Sequence, residues 1–218
     1  MNEHPTLILV RHGQSQHHVL GLTGGWTETP LTALGHRQAR LVAARLKSEL
    51  QGAAIRLVTS DLLCTQETAA HIVEALGVAA TVDARVREHN NGDAVNLTME
   101  QAGQRFPGVF GRPWELDFRP FPNSETSREF YERVGGFVDE AGTTSGPPLI
   151  VVTHGGTIAN IVGRWLRLSA EAFSQAGCDA HPTGLTVLTE GPWGQRRIER
   201  LNDVAHLQGI EGWARLPV

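Results

Sequence analysis

Cysteine is scarce in this chain. Its 218 residues contain two, Cys64 and Cys178, too few for a disulfide framework. An excess of positive charge is missing as well. Nineteen Lys and Arg face 23 Asp and Glu, a net charge of −4, so bulk electrostatics favour neither nucleic acid nor an anionic membrane as partner. No apolar run reaches the roughly 18 residues of a membrane span, so no transmembrane helix is expected. The start, "MNEHPTLILVRHG", has no basic segment and only a short apolar run. No signal peptide is expected there, and the cytoplasm is the expected compartment. Ten histidines are present, none at the H-E-x-x-H or H-x₃-H spacing of helical metal sites, so no metal is expected. No Walker-type loop or G-x-S-x-G elbow occurs.

What is present is an ordinary globular composition, 40 % hydrophobic and 19 % charged, with apolar content for a real core. "TLILV" (6–10), "AIRLVTS" (54–60) and "ATVDARV" (80–86) predict strands. "PPLIVVTHGG" (147–156) predicts a strand running into a Gly-Gly turn. "GLTVLTE" (184–190) and "RRIERLN" (196–202) predict a terminal strand pair around the turn "GPWG". Between them, 31–50 has helical apolar spacing behind a Thr32 N-cap. A helix over 61–76 starts at Ser60 or Asp61 and ends at Gly77. Segments 97–106, 122–141 (capped by Ser124) and 157–168 predict further helices. Strands alternating with helices predict an α/β fold: a three-layer α/β/α sandwich on a mostly parallel sheet, with a late antiparallel strand. With no repeat or linker, a single domain over 1–218 is expected. Segment 11–30 reads as a long functional loop. Segment 106–123, rich in Pro and aromatics, reads as an irregular lid.

In open α/β sheets, ligands sit beyond the carboxyl ends of the strands. Polar clusters stand at three such ends: Arg11-His12-Gly13, Thr59-Ser60-Asp61 and Thr153-His154-Gly155-Gly156. Two histidines and an arginine at one sheet edge suit an anion. Arginine offers a planar fork to phosphate oxygens, and glycine lets the backbone come close. The helix near Thr157 aims free N–H groups at the same place. Cys64 falls in the first turn of a predicted helix, where a thiol can be activated. Cysteine-dependent phosphatases, however, carry Cys-x₅-Arg loops. The sixth residues after Cys64 and Cys178 are Ala70 and Gly184, so packing is the favoured role for the Cys64 thiol.

"LILVRHGQS" and "LIVVTHGG", with "PLTALG" (30–35) and "TSDLLCTQETA" between them, resemble the histidine phosphatase superfamily, also called the phosphoglycerate-mutase-like family. "VREHNNG" (86–92) resembles the family's acid-bearing segment, and "NSET" (123–126) its Gly-Glu-Ser element with the glycine replaced. The resemblance implies a phosphoglycerate-mutase-like fold and a metal-independent phosphatase without a cofactor. His12 would attack phosphorus and become a phosphohistidine. Arg11 would hold phosphoryl oxygens, His154 would stabilise charge on the transferring group, and Glu88 would protonate the leaving alcohol and then activate water. The substrate-binding positions it implies are Arg11, Gln14, Ser15, His18, Cys64, His154 and Gly155. Read on its own residues, Glu88 has an alternative as a surface carboxylate paired with Arg85 or Arg87.

Two positions depart from the family pattern. A second phosphate arginine is expected where Cys64 stands, and an asparagine where His18 stands. The missing arginine is worth about 3–5 kcal/mol to a bound dianion, on the order of 10²–10³ in rate if lost wholly from the transition state. His18, protonated by a bound phosphate, would replace part of it, and Arg85 or Arg87 swinging in would do the same. The expected function is hydrolysis of small phosphomonoesters, with a small-molecule phosphate ester as the partner. The alternative is a weakened member that binds a phosphorylated ligand or protein. A mutase, which has to hold a second phosphoryl-bearing group, is less favoured. A homodimer is compatible with the sequence, which carries no signal for oligomeric state.

Overall fold

The computed structural model describes residues 5–142 and 146–210; the remaining ends of the expected domain, and 143–145, lie outside the described residues. Six strands form one mixed sheet in the order β3-β2-β4-β1-β5-β6. They are β1 (Thr6–Arg11), β2 (Arg56–Thr59), β3 (Ala80–Val82), β4 (Leu149–Thr153), β5 (Leu185–Glu190) and β6 (Arg196–Asp203). β3, β2, β4 and β1 run parallel, and β5 is antiparallel to both β1 and β6. The expected sheet is therefore present.

Side chains alternate across a strand, and the two faces of this sheet take different helices. Leu7, Leu9, Leu149 and Val151 pack with Phe130, Val134, Ile158 and Trp165. The latter four belong to α5 (Ser127–Ala141) and α6 (Gly155–Trp165). Ile8, Val10, Ile150 and Val152 pack with Val42, Leu46, Ala69 and Ile72, on α2 (Ala33–Leu50) and α3 (Leu63–Leu76). β4 is buried throughout, as a parallel strand covered on both faces should be. Each buried Leu, Ile or Val contributes roughly 1.5–3 kcal/mol.

Several predicted boundaries shift, each for a local reason. Thr32 caps α2 as expected, accepting from Gly35 N at 3.0 Å. α3 is not capped by Ser60 or Asp61. Ser60 Oγ accepts from Leu62 N, Asp61 turns to Arg87, and Leu62 occupies the N-cap. Thr126, not Ser124, caps α5 through a capping box with Glu129, while Ser124 Oγ donates back to Phe121 O. The predicted third strand stops at Val82 because Asp83 accepts from Arg85 N and turns the chain. α6 begins at Gly155, so the Gly-Gly pair is its first turn. Two short helices were not anticipated: α1 (Gln16–Leu20), inside the 11–30 loop, and α7 (Ala170–Phe173). α4 (Met99–Arg105) lies within its predicted span. Segment 106–123 is irregular, and Phe106 and Phe110 pack on Phe121.

Candidate active site

Register is what brings the two histidine motifs together. In the β1–β4 ladder Arg11 faces Thr153. The next residues, His12 and His154, therefore leave the same sheet edge side by side. His12 N donates to Thr153 O at 2.9 Å, and the imidazole centroids lie 5.2 Å apart. Both rings are buried at 3 % exposure. A cavity of about 300 Å³ opens on them, walled also by Arg11, Glu88, Cys64 and His18. A neighbouring cavity of about 400 Å³ shares Arg11, Glu88 and His18 and includes Gly155. Of the positions expected at the site, these two walls collect all but Gln14 and Ser15.

The tautomer of His12 follows from its neighbour. Nδ1 lies 2.7 Å from Gly13 O. A carbonyl only accepts, so Nδ1 carries the proton and the in-plane lone pair is on Nε2. Burial, followed by His154, Arg11, His18 and His17, holds this pKa well below 6.5. The ring is neutral near pH 7 and nucleophilic at Nε2. Burial, with Arg11 next, pushes His154 down to about 3, and its Nε2 lies 3.1 Å from Ser60 Oγ.

Arg11 is held at both ends of its fork. Nη1 donates to Ala180 O at 2.5 Å, and Nη2 lies 2.8 Å from His18 Nε2. Arginine only donates, so His18 accepts at Nε2 and carries its proton on Nδ1, which points to Ser15 Oγ at 3.0 Å. Ser15 Oγ in turn sits 3.1 Å from His17 Nδ1. The row Arg11–His18–Ser15–His17 thus runs in one direction of donation, and Ser15 N, 3.5 Å from the protonated His18 Nδ1, stands outside it. Burial, then neighbouring charges, lowers His17 to about 4 and His18 to about 3. Arg11 Nε is buried without a hydrogen-bond partner among the described residues. Ser15 therefore orients the two histidines. Gln14 is occupied behind the cavity by Gln38 (2.8 Å) and Thr32 (2.7 Å).

Glu88 hangs on irregular backbone, and its carboxylate is aimed by main-chain donors. His89 N and Gly156 N reach its two oxygens at 2.8 and 3.0 Å. A Cβ on Gly156 would collide with Glu88 Oε1, so any side chain in this first turn of α6 would push that carboxylate out of its place. The carbonyls of 86–88 find no sheet partner and are met by side chains. Thr153 bonds Val86 O, Thr157 bonds Arg87 O, and Trp26 bonds Glu88 O at 2.8 Å. Arg133 reaches the carbonyls of Arg85, Arg87 and Glu88 at 2.8–3.1 Å while paired with Glu125. Trp26 and Arg133 escaped the sequence reading, since each lies in a different motif from the one it supports. The "NSET" match at Glu125 was the available signal.

Arg85 and Arg87 pair with neither Glu88 nor the cavity. Arg85 is taken by Asp83 and Glu140. Arg87 is taken by Asp61, with Nε–Oδ1 at 2.6 Å, and lies over Trp26. Both earlier expectations for them, as partners of Glu88 or as substitutes for the missing arginine, fail on these pairings. Cys64 is 3 % exposed among Leu31 and Ala39, and burial pushes its thiol up to about 12. It is a thiol, not a thiolate, and no nucleophile. One turn on, Thr68 Oγ1 accepts from Gly13 N and donates to Cys64 O, so α3 still braces the His12 loop. The segment 106–123 contributes no side chain to either cavity around Arg11. Its Trp114 and Leu116 border a separate 220 Å³ cavity with Phe130, Tyr131 and Phe173.

Known proteins resemble this chain in sequence and fold. The family model of the histidine phosphatase superfamily (branch 1) matches residues 7–204. The probable phosphoglycerate mutase GpmB of Yersinia enterocolitica is 30 % identical over 209 residues, covering 92 % of this chain and 94 % of that one. A mycobacterial glucosyl-3-phosphoglycerate phosphatase solved with VO₃ superposes at TM-score 0.77 with 26 % identity, over 92 % of this chain and all of that one. A putative α-ribazole-5′-P phosphatase of Escherichia coli shares the fold at TM-score 0.79 and 22 % identity, over 92 % of this chain and 97 % of that one. With both histidine motifs meeting at one sheet edge, and the family match running from β1 to the end of β6, the chain belongs to the histidine phosphatase superfamily.

Proposed function

We propose that the protein is a phosphatase that hydrolyses small phosphomonoesters through a phosphohistidine on His12. The observation that carries this reading is the His12 tautomer: a buried neutral imidazole with its lone pair on Nε2, beside Arg11 and His154. In the first step Nε2 forms the P–N bond while the ester P–O bond breaks, and Glu88 gives its proton to the departing alkoxide. In the second, Glu88 takes a proton from water, the hydroxide oxygen forms the new P–O bond, and the P–N bond returns its electrons to His12. Arg11 and His154 meet the charge on the equatorial oxygens, where phosphoryl transfer needs it most. A bound dianion would raise the pKa of His154, converting it to a donor, while His18 Nε2 stays the acceptor of Arg11.

Hydrolysis is favoured over mutase chemistry because Arg11 is the one arginine walling either cavity among the described residues. A mutase has to hold a second phosphoryl-bearing group. The named relatives point both ways, to phosphatases and to a probable mutase. The test is mass spectrometry of enzyme quenched during turnover, with His12→Ala as control. Phosphate on His12 and loss of turnover in the variant are expected; label elsewhere, or full turnover in His12→Ala, overturns the mechanism. Cys64 in place of arginine favours a second reading, a weakened member that binds a phosphorylated ligand or partner. Turnover within about tenfold of the usual ~10 s⁻¹ on any ester disposes of it.

A further inference from the structure

The substitution at Cys64 removes a cation from the site and also installs a soft ligand there. One donor atom from each of His12, Cys64 and His154 lies within 4.8 Å of the other two, and all three residues are buried. We propose that His12, Cys64 and His154 form a three-ligand site for a thiophilic divalent cation such as Zn²⁺, and that its occupancy takes the nucleophile out of use.

The geometry is that of an open zinc site. Two imidazoles and one thiolate, with a fourth position left over, is a donor set that zinc accepts. Tetrahedral Zn–N of ~2.0–2.1 Å and Zn–S of ~2.3 Å place ligand atoms about 3.3–3.6 Å apart. The widest edge therefore closes by at most about 1.5 Å, within reach of side-chain torsions. The fourth position opens on the 300 Å³ cavity, which gives the ion its path in and room for water. His12 already has the outer hydrogen bond of a metal-bound histidine, its Nδ1–H on Gly13 O. Ser60 Oγ is beside His154 Nε2. An arginine at position 64 would repel such an ion. Its absence leaves Arg11 as the opposing charge in this cavity and Glu88 as the offsetting one.

The binding step balances simply. Cys64 releases its proton to solvent, its sulfur forms the Zn–S bond, and the two imidazoles give lone pairs. The metal and phosphorus compete for the same electrons on His12 Nε2, so metal binding and phosphohistidine formation exclude each other. The loss of turnover rests on the phosphatase reading above; the binding does not.

Co²⁺ titration of the full chain tests the site without any activity. A thiolate-to-cobalt charge-transfer band at one equivalent is expected, displaced by Zn²⁺, and absent in Cys64→Ala. That variant leaves a small apolar side chain and removes one ligand; loss of a whole ligand exceeds the 10–100-fold of an outer partner, so Zn²⁺ affinity should fall by more than about 100-fold. The band isolates this site from the half-buried His36–His71 pair, which holds no sulfur, and the variant isolates it from Cys178. No band, or a band unchanged in Cys64→Ala, overturns the site. In turnover assays Zn²⁺ should inhibit reversibly with chelator, at a concentration raised in Cys64→Ala relative to that variant's own metal-free rate. Equal inhibition of both forms, or activation, overturns the silencing. If no ester is turned over at all, the phosphatase reading fails and the cobalt spectrum still decides the site.

Discussion

Arg11 Nη2 lies 2.8 Å from Nε2 of His18, the residue that stands where the family pattern has an asparagine. The arginine proposed to meet phosphate is thus steadied by an imidazole acceptor, itself oriented through Ser15.

Removing that acceptor should loosen Arg11. His18→Ala is expected to raise KM for phosphate esters by about 10–150-fold, the worth of one hydrogen bond to a charged group, roughly 1.5–3 kcal/mol. His18→Asn, which keeps a carbonyl acceptor, should recover most of it. Steady-state kinetics on both variants check this; equal loss in the two would show that the ring itself, not its acceptor, matters.

Cys64→Arg should raise kcat/KM on generic phosphate esters by at least about tenfold, part of the 10²–10³ that a bidentate arginine is worth. The cavity beside Cys64 has about 300 Å³ for the new side chain. An unchanged or lower rate would mean that the pocket has been rebuilt around the absence of that arginine.

Arg133 touches no reacting atom; it positions the backbone that carries Glu88. Arg133→Lys breaks the carbonyl contacts and the fork on Glu125. The expected result is a fall in kcat of at least about tenfold, out of the ~10²–10⁴ that acid–base catalysis supplies, with KM little changed. An aryl phosphate, whose leaving group needs no proton, should be spared in the first step. A loss equal for aryl and alkyl esters would point to general unfolding instead.

Buried neutral histidines make stability depend on pH. Burial above all holds His17 near 4, His18 and His154 near 3, and His12 well under 6.5. Between those values and 6.5 the unfolded chain binds more protons than the folded one, so stability rises with pH. The contribution is complete above about 6.5 and drains away as pH falls toward 4 and then 3. Each fully buried histidine adds at most about 1.4 kcal/mol per pH unit to the loss. Urea midpoints should fall steeply from about pH 6.5 to 4.5 and level off above. A bound phosphate analogue, by favouring protonated His154, should flatten the fall. Midpoints constant across that range would contradict the buried neutral state.

Much of the fold was legible because burial writes a period into sequence. The all-apolar run 149–152 reads as a covered parallel strand, and 31–50 reads as a helix by its spacing. Helix starts were less legible. Ser60, Asp61 and Ser124 are good capping residues by type, yet each is claimed by a distant or turn partner: His154, Arg87 and Phe121 O respectively. Helix α1 was hidden because five residues leave almost no periodic signal. It proved to matter, since it carries His17 and His18.

By itself the sequence determined the alternation of strands and helices, the family, and the two His-Gly motifs, because these are local patterns or short words in fixed order. Tertiary structure decided which nitrogen of His12 keeps its lone pair, since a backbone carbonyl 2.7 Å away makes that choice. It also decided that Arg85 and Arg87 serve Asp83 and Asp61 rather than the pocket, because charges pair with whatever the fold brings nearest. The same holds for Cys64. As a letter it marks a missing arginine; only the β1–β4 register and the first turn of α3 set its sulfur beside two imidazoles.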